Sequence, residues 1–173
     1  MYIHIKNNHK EEIMIEKQIQ DVCDRFQIAG EYRYYEIINS GHINTTYRVY
    51  FFRDGELKDY ILQRVNTYVF QDPVSVMENI SLVTEFIRAK IKEKQATAKR
   101  NVLHYCSTAD GLYYTYMQDG SFWRCCRYID NSICYEYTDD LKVIEESGKA
   151  FGEFQLFDGE IRQITLKFTK RLA

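Results

Sequence analysis

The sequence predicts an α+β domain, with an antiparallel sheet of about five strands, a helix inserted after the third, and a further helix at each end. Three features predict it. Apolar residues recur every three to four positions in three stretches, aromatic and β-branched runs lie between them, and Asp-Gly pairs punctuate those runs. Each element follows from its own local chemistry.

From Glu12 to Ile28 the apolar residues Ile15, Ile19, Val22 and Phe26 mark one face of an amphipathic helix closed by Gly30. A strand-like run follows from Tyr34 to Ile38, then a polar loop from Asn39 to Thr45, then a second run from Thr46 to Phe52. Asp54-Gly55 precedes a third run, Tyr60 to Val65, and the pair signals a hairpin because glycine accepts the positive φ of a tight turn. The three strands form a meander. Asp72-Pro73 then opens a helix, Asp72 as cap and proline where no N–H is needed, with Val76, Ile80, Val83, Ile87 and Ile91 as its stripe. The basic tail from Lys90 to Arg100 suits the C-terminal end of that helix. Strand character returns from Val102 to Ile129, where Asp110-Gly111 and Asp119-Gly120 signal two more hairpins and two or three further strands. Thr138-Asp139-Asp140 caps a last helix from about Leu141 to Phe157, whose Gly148 and Gly152 would let a neighbouring element approach closely.

The totals exclude several classes. A chain of 173 residues with 45% hydrophobic content can bury a core. Its 23 basic and 25 acidic residues are dispersed and sum to -2, so no strong field draws nucleic acid or an anionic membrane. No apolar stretch near Met1 to Lys10 is long enough for a signal peptide or a span, which makes a cytoplasmic address the expectation. Cys23, Cys106, Cys125, Cys126 and Cys134 are odd in number and contain no C-x-x-C pair, which argues for reduced, buried thiols rather than disulfides or zinc. Cys125 and Cys126 are adjacent on a predicted strand and so face opposite ways. Trp123 and the tyrosines lack a basic stripe between them, which favours core packing over base stacking.

Two places carry candidate chemistry. The loop Ser40-Gly41-His42-Ile43-Asn44-Thr45 is small and polar, and such a loop either cradles phosphate with its backbone N–H groups or makes a hairpin turn with hydroxyl caps. His42 could touch a phosphate or stand in solvent. Arg64 is a cation near the end of the apolar run Tyr60 to Val65. Glu78 and Glu85 recur seven positions apart on the next helix, and either could hold Arg64 towards phosphates, or both could face water.

Several segments in order give these places a context. Asn39 to Tyr47, Tyr60 to Asn66, Val69-Phe70-Gln71-Asp72-Pro73 and Met77-Glu78-Asn79-Ile80 lead the set. Phe122-Trp123-Arg124, Tyr128-Ile129, Gly148-Lys149-Ala150-Phe151-Gly152 and Phe154-Gln155 complete it. Together, over roughly residues 12 to 158, they resemble the bacterial phosphotransferase family that includes N-acetylhexosamine kinases and is related to aminoglycoside phosphotransferases. The resemblance implies a protein-kinase-like N-lobe over 31–130, preceded by a helical segment, 1–30, and followed by a hinge and the start of a C-lobe, 131–173.

It also implies roles. Ser40, Gly41, His42, Asn44 and Thr45 would cover the nucleotide phosphates, and Arg64 would stand where the family has a strand lysine, with Glu78 its helix partner. Arginine presents a planar fork where lysine presents a point charge. Tyr128 and Ile129, ahead of Asp130, would bind the adenine edge through their backbone. ATP and magnesium are the implied cofactors, and a sugar or aminoglycoside-like hydroxyl the acceptor. The family's His-Gly-Asp type loop and later metal-binding aspartate have no counterpart in the chain, and residues 159–173 depart from the family's pattern. The resulting expectation is an ATP-binding portion without transfer activity of its own. The alternative is a non-catalytic remnant or interaction module whose exposed surface meets another chain, with apolar surface near Phe151 to Phe157 open to solvent or to self-association.

Overall fold

The computed structural model describes residues 3–39, 42–93, 102–133, 135 and 137–161. Their elements are α1 (Ile3–Cys23), β1 (Glu31–Ile38), β2 (Thr45–Arg53), β3 (Glu56–Val65), α2 (Pro73–Glu93), β4 (Thr115–Tyr116), β5 (Phe122–Arg127) and α3 (Leu141–Ile161). The chain divides into two compact units, one of Met1–Met77 with Leu103–Tyr128, the other of Glu78–Val102 with Ile129–Ala173. The α+β class and the five-stranded antiparallel sheet are as expected, and α1 belongs to the same unit as the sheet.

In the first unit the strands lie in the order β1-β2-β3-β5-β4, every neighbouring pair antiparallel. The Asp-Gly signals set much of this. Asp54 and Gly55 both have positive φ, 53° and 82°, and join β2 to β3 through the closing pair Arg53↔Glu56. Gly120, at φ 77°, turns β4 into β5 and donates its N–H to the Met117 carbonyl at 2.9 Å. Asp110-Gly111 departs from the hairpin expectation. Gly111 closes a turn onto the Thr108 carbonyl at 3.0 Å, but the flanking chain is held by isolated bridges, Phe26↔Thr108 and Tyr105↔Cys126, rather than by strands.

The first helix also differs from its expected limits. It begins earlier and ends at Cys23, where three-residue turns take over: the Arg25 N–H donates to Val22 and that of Phe26 to Cys23. Phe26 therefore reaches the core from extended chain, with the Gln27 N–H donating to the Ser107 carbonyl at 2.7 Å. Gly30 then turns with φ +116° so close to β2 that a Cβ there would meet the Phe52 carbonyl oxygen at 2.8 Å.

Strand alternation gives the sheet two unlike faces. Val49 and Phe51 of β2, Leu62 of β3, and Trp123 and Cys125 of β5 form one buried cluster with Ile19, Val22 and Cys23 of α1 and with Phe26. Tyr47 stacks on Trp123, while Tyr32 and Tyr60 meet Phe51 edge-on. The other face receives the start of α2, where Pro73, Val76 and Met77 pack near Val65, Phe122 and Arg124. Asp72 caps this helix as expected, its Oδ1 accepting the Ser75 N–H at 3.0 Å.

In the second unit α2 continues from Glu78, with Ile91 of its stripe buried. Asp140 caps α3, its Oδ1 accepting the Lys142 N–H at 2.9 Å, and the helix extends beyond the expected Phe157 to Ile161. Gly148 and Gly152 are exposed, and a Cβ on either would meet no described atom within 4 Å. The close approach expected there is not made among the described residues. No helix among the described residues is long and apolar enough to cross a membrane.

Candidate functional site

Two of the singled-out segments meet at one end of the sheet. Thr45 opens β2 directly opposite Arg64, which is next to last on β3. The preceding loop is tied to the same corner, because the Asn44 side-chain oxygen accepts the N–H of Asn66, just past the end of β3, at 2.9 Å. His42 is exposed beside them, whereas Ser40 and Gly41 lie outside the described residues.

Arg64 follows Leu62 on the α1 face, opposite Trp123 of β5, and is half exposed at the rim of the core. Its guanidinium lies 3.9 Å from the Asp119 carboxylate. That carboxylate is itself anchored. It accepts the Ser121 hydroxyl at 2.5 Å and the Ser121 N–H at 2.9 Å, and the same hydroxyl accepts the Trp123 indole N–H at 2.7 Å. These hydrogen bonds from Ser121, with Arg64 adding to them, hold Asp119 below the usual carboxylate range. Burial raises the Tyr47 phenol beside this corner, and the Arg64 charge opposes the rise.

The helix glutamates do not belong to this corner's unit. Glu78 is half-buried and Glu85 exposed in the second unit, and within the first it is Asp119 that pairs with Arg64. The first turn of α2 stands on the opposite face, beside Arg124 and Gln63. Arg124 donates to the Gln63 side-chain oxygen at 2.9 Å and approaches the Met77 sulfur at 3.7 Å, while Gln63 donates to the Thr46 hydroxyl at 3.1 Å. A row of hydrogen-bonding side chains thus crosses β2, β3 and β5 on that face.

Tyr128 and Ile129 follow the end of β5. The Tyr128 N–H donates to the Asp59 carbonyl at 3.1 Å, and the Ile129 carbonyl accepts the Ser132 hydroxyl at 2.8 Å. The Tyr128 ring lies 3.9 Å from the Arg48 guanidinium, which also donates to Asp59 through Nε at 2.9 Å and lies over Tyr50. Tyr50 in turn donates to Glu36 at 2.8 Å and stacks on Tyr34 at 4.3 Å. This cation and aromatic ladder was not singled out from sequence. The signal was present in the alternation of β2, where Arg48 and Tyr50 flank the core residue Val49, and Glu36 and Asp59 stand opposite them on the neighbouring strands.

The cysteines divide as expected on β5, Cys125 in the core opposite Leu62 and Cys126 on the other face opposite Ile61. Cys134 lies outside the described residues. Among the described residues, no three His, Cys, Asp or Glu side chains gather in a way that could hold a metal ion. No protein-family model matches the chain.

Proposed function

We propose that the first unit is the nucleotide-binding lobe of a phosphotransferase-type protein, and that it takes the phosphates of ATP at the corner formed by Asn44, Thr45 and Arg64. One observation carries this reading: the polar loop and the strand cation, on the two strands of one hairpin, meet at one sheet end, with the loop fastened to β3. The guanidinium is held by a carboxylate at a long distance and remains half exposed, which leaves its donors within reach of an anion. The sheet order, with α2 inserted between β3 and β4, agrees with the kinase-like lobe that the sequence resembles. In this reading Ser40, Gly41 and His42 complete the phosphate loop, and Tyr128 meets the base.

Magnesium enters as the counter-ion of the triphosphate, with no protein ligand assigned to it. A small-molecule hydroxyl would be the acceptor in an intact relative, and no transfer step is assigned to the residues described above. Titration with Mg-ATP tests the reading. Arg64→Ala is expected to weaken binding about tenfold, the equivalent of ~1.4 kcal/mol for one partly exposed charge-assisted contact. Asp119→Asn is expected to strengthen binding by freeing Arg64. Equal binding by the wild type and both variants would sink the proposal.

A second reading, an interaction module that self-associates, is favoured by α3. Leu141, Ile144, Phe151 and Phe154 are 80%, 51%, 64% and 45% exposed, and they fall within a sector of about 140° at the helical step. Sedimentation velocity at rising concentration is expected to show dimer formation that Phe151→Asp abolishes; a clean monomer throughout removes this reading.

A further inference from the structure

Three thiols converge in the core of the first unit. Cys23 and Cys125 are 1% and 0% exposed within the buried cluster, and Cys106, only half-buried, packs against it from the segment that follows Leu103. That segment meets β5 antiparallel. Tyr105 and Cys126 are bridge partners, flanked by hydrogen bonds from the Cys106 N–H to the Cys125 carbonyl at 2.8 Å and from the Arg127 N–H to the His104 carbonyl at 2.9 Å. One step along this register puts Cys106 directly opposite Cys125, on the same side of the sheet.

We propose that Cys106 and Cys125 are a reversible dithiol that exchanges with a low-molecular-weight disulfide and closes a cross-strand bond. The geometry suits it. Residues opposite one another in an antiparallel pair have Cα atoms about 4.5–5.5 Å apart, inside the range a disulfide spans. The two thiols are also unequal. Cys125 hydrogen-bonds to the Cys106 sulfur, and this, with the nearby Arg127 charge, lowers the Cys106 thiol against the opposing effect of burial. Burial keeps Cys125 protonated. Cys23 and Cys126, both buried, are pushed up to about 12. Of the four described thiols, Cys106 is the one both accessible and disposed to ionise.

The exchange balances in two steps. The Cys106 thiolate attacks one sulfur of the small disulfide, whose S–S bond breaks, and one small thiol departs after taking a proton. Cys125 then attacks the Cys106 sulfur of the mixed disulfide, its proton passing to the second departing thiol. Two protein thiols are oxidised, and one small disulfide is reduced to two thiols. The product fastens the 103–108 segment, held here by isolated bridges, covalently to β5.

Incubating the native chain with oxidised glutathione, alkylating the remaining thiols and mapping the peptides tests the proposal without any variant. The expected result is a mass loss of two hydrogens and one cross-linked pair containing Cys106 and Cys125, reversed by dithiothreitol. Cys125→Ala is expected to stop at a single glutathione adduct on Cys106. A bond from Cys106 to Cys23 or Cys134, uniform alkylation of every cysteine, or an unchanged mass would overturn it.

Discussion

The two faces of the sheet are built from the same strands and resolve their side chains in opposite ways. On the α1 face Val49, Phe51, Leu62 and Trp123 are buried against Ile19 and Val22, and contact area does the stabilising. On the other face polar side chains pair across strands, Arg48 with Asp59, Tyr50 with Glu36, Gln63 with Thr46 and Arg124 with Gln63. A face covered by a helix can be apolar. The face on which, within the first unit, the start of α2 packs at one end retains its polar groups and satisfies them across strands.

The largest expected effect tests the buried face. Leu62→Ala should cost about 2–5 kcal/mol, through lost transfer energy and an unfilled cavity, whereas Ile61→Ala, one residue away on the other face, should cost roughly 1–2 kcal/mol. Urea unfolding of the two variants measures both, and equal costs would break the comparison.

Next comes the ladder. Asp59→Ala leaves the Arg48 guanidinium against the Tyr50 and Tyr128 rings without its carboxylate, and should cost about 1–3 kcal/mol by the same measurement. Replacing both partners, Arg48→Met with Asp59→Leu, should cost less than Asp59→Ala alone, because no charge is then stranded. A double variant weaker than the single one would show that the pair itself stabilises this face.

The smallest effect carries a pH signature. Tyr50→Phe removes the hydroxyl donated to Glu36 and should cost about 0.5–1.5 kcal/mol at neutral pH. Burial first, and that hydrogen bond second, raise the Tyr50 phenol from 10.0 to about 12. Because the folded value lies above the unfolded one, its contribution is complete below pH 10.0 and is lost as the pH rises through about 12. The gap between wild type and Tyr50→Phe should therefore close over that window in unfolding curves taken at stepped pH. A constant gap would mean that the hydroxyl is not the group that matters.

Much of this was legible in the sequence because it depends on neighbours along the chain. The Asp54-Gly55 and Asp119-Gly120 turns, the Asp72 and Asp140 caps, the inserted helix and the split of Cys125 from Cys126 follow from backbone and alternation chemistry that acts over a few residues. The same rules placed Phe26 on a helix and a strand hairpin around Asp110-Gly111. Both fail for one reason, since residues 26 and 108 pair with each other across the unit, and that long-range bridge outweighs local preference. Arg64 shows the same division within a single site. Its strand and its charge were evident in the sequence, and so was its place near the end of an apolar run. That its partner is Asp119, that Asn44 fastens the loop to its strand, and that Cys106 stands opposite Cys125 were decided only by the tertiary structure. Strand pairing selects which distant residues become neighbours, and no local rule in the sequence specifies that choice.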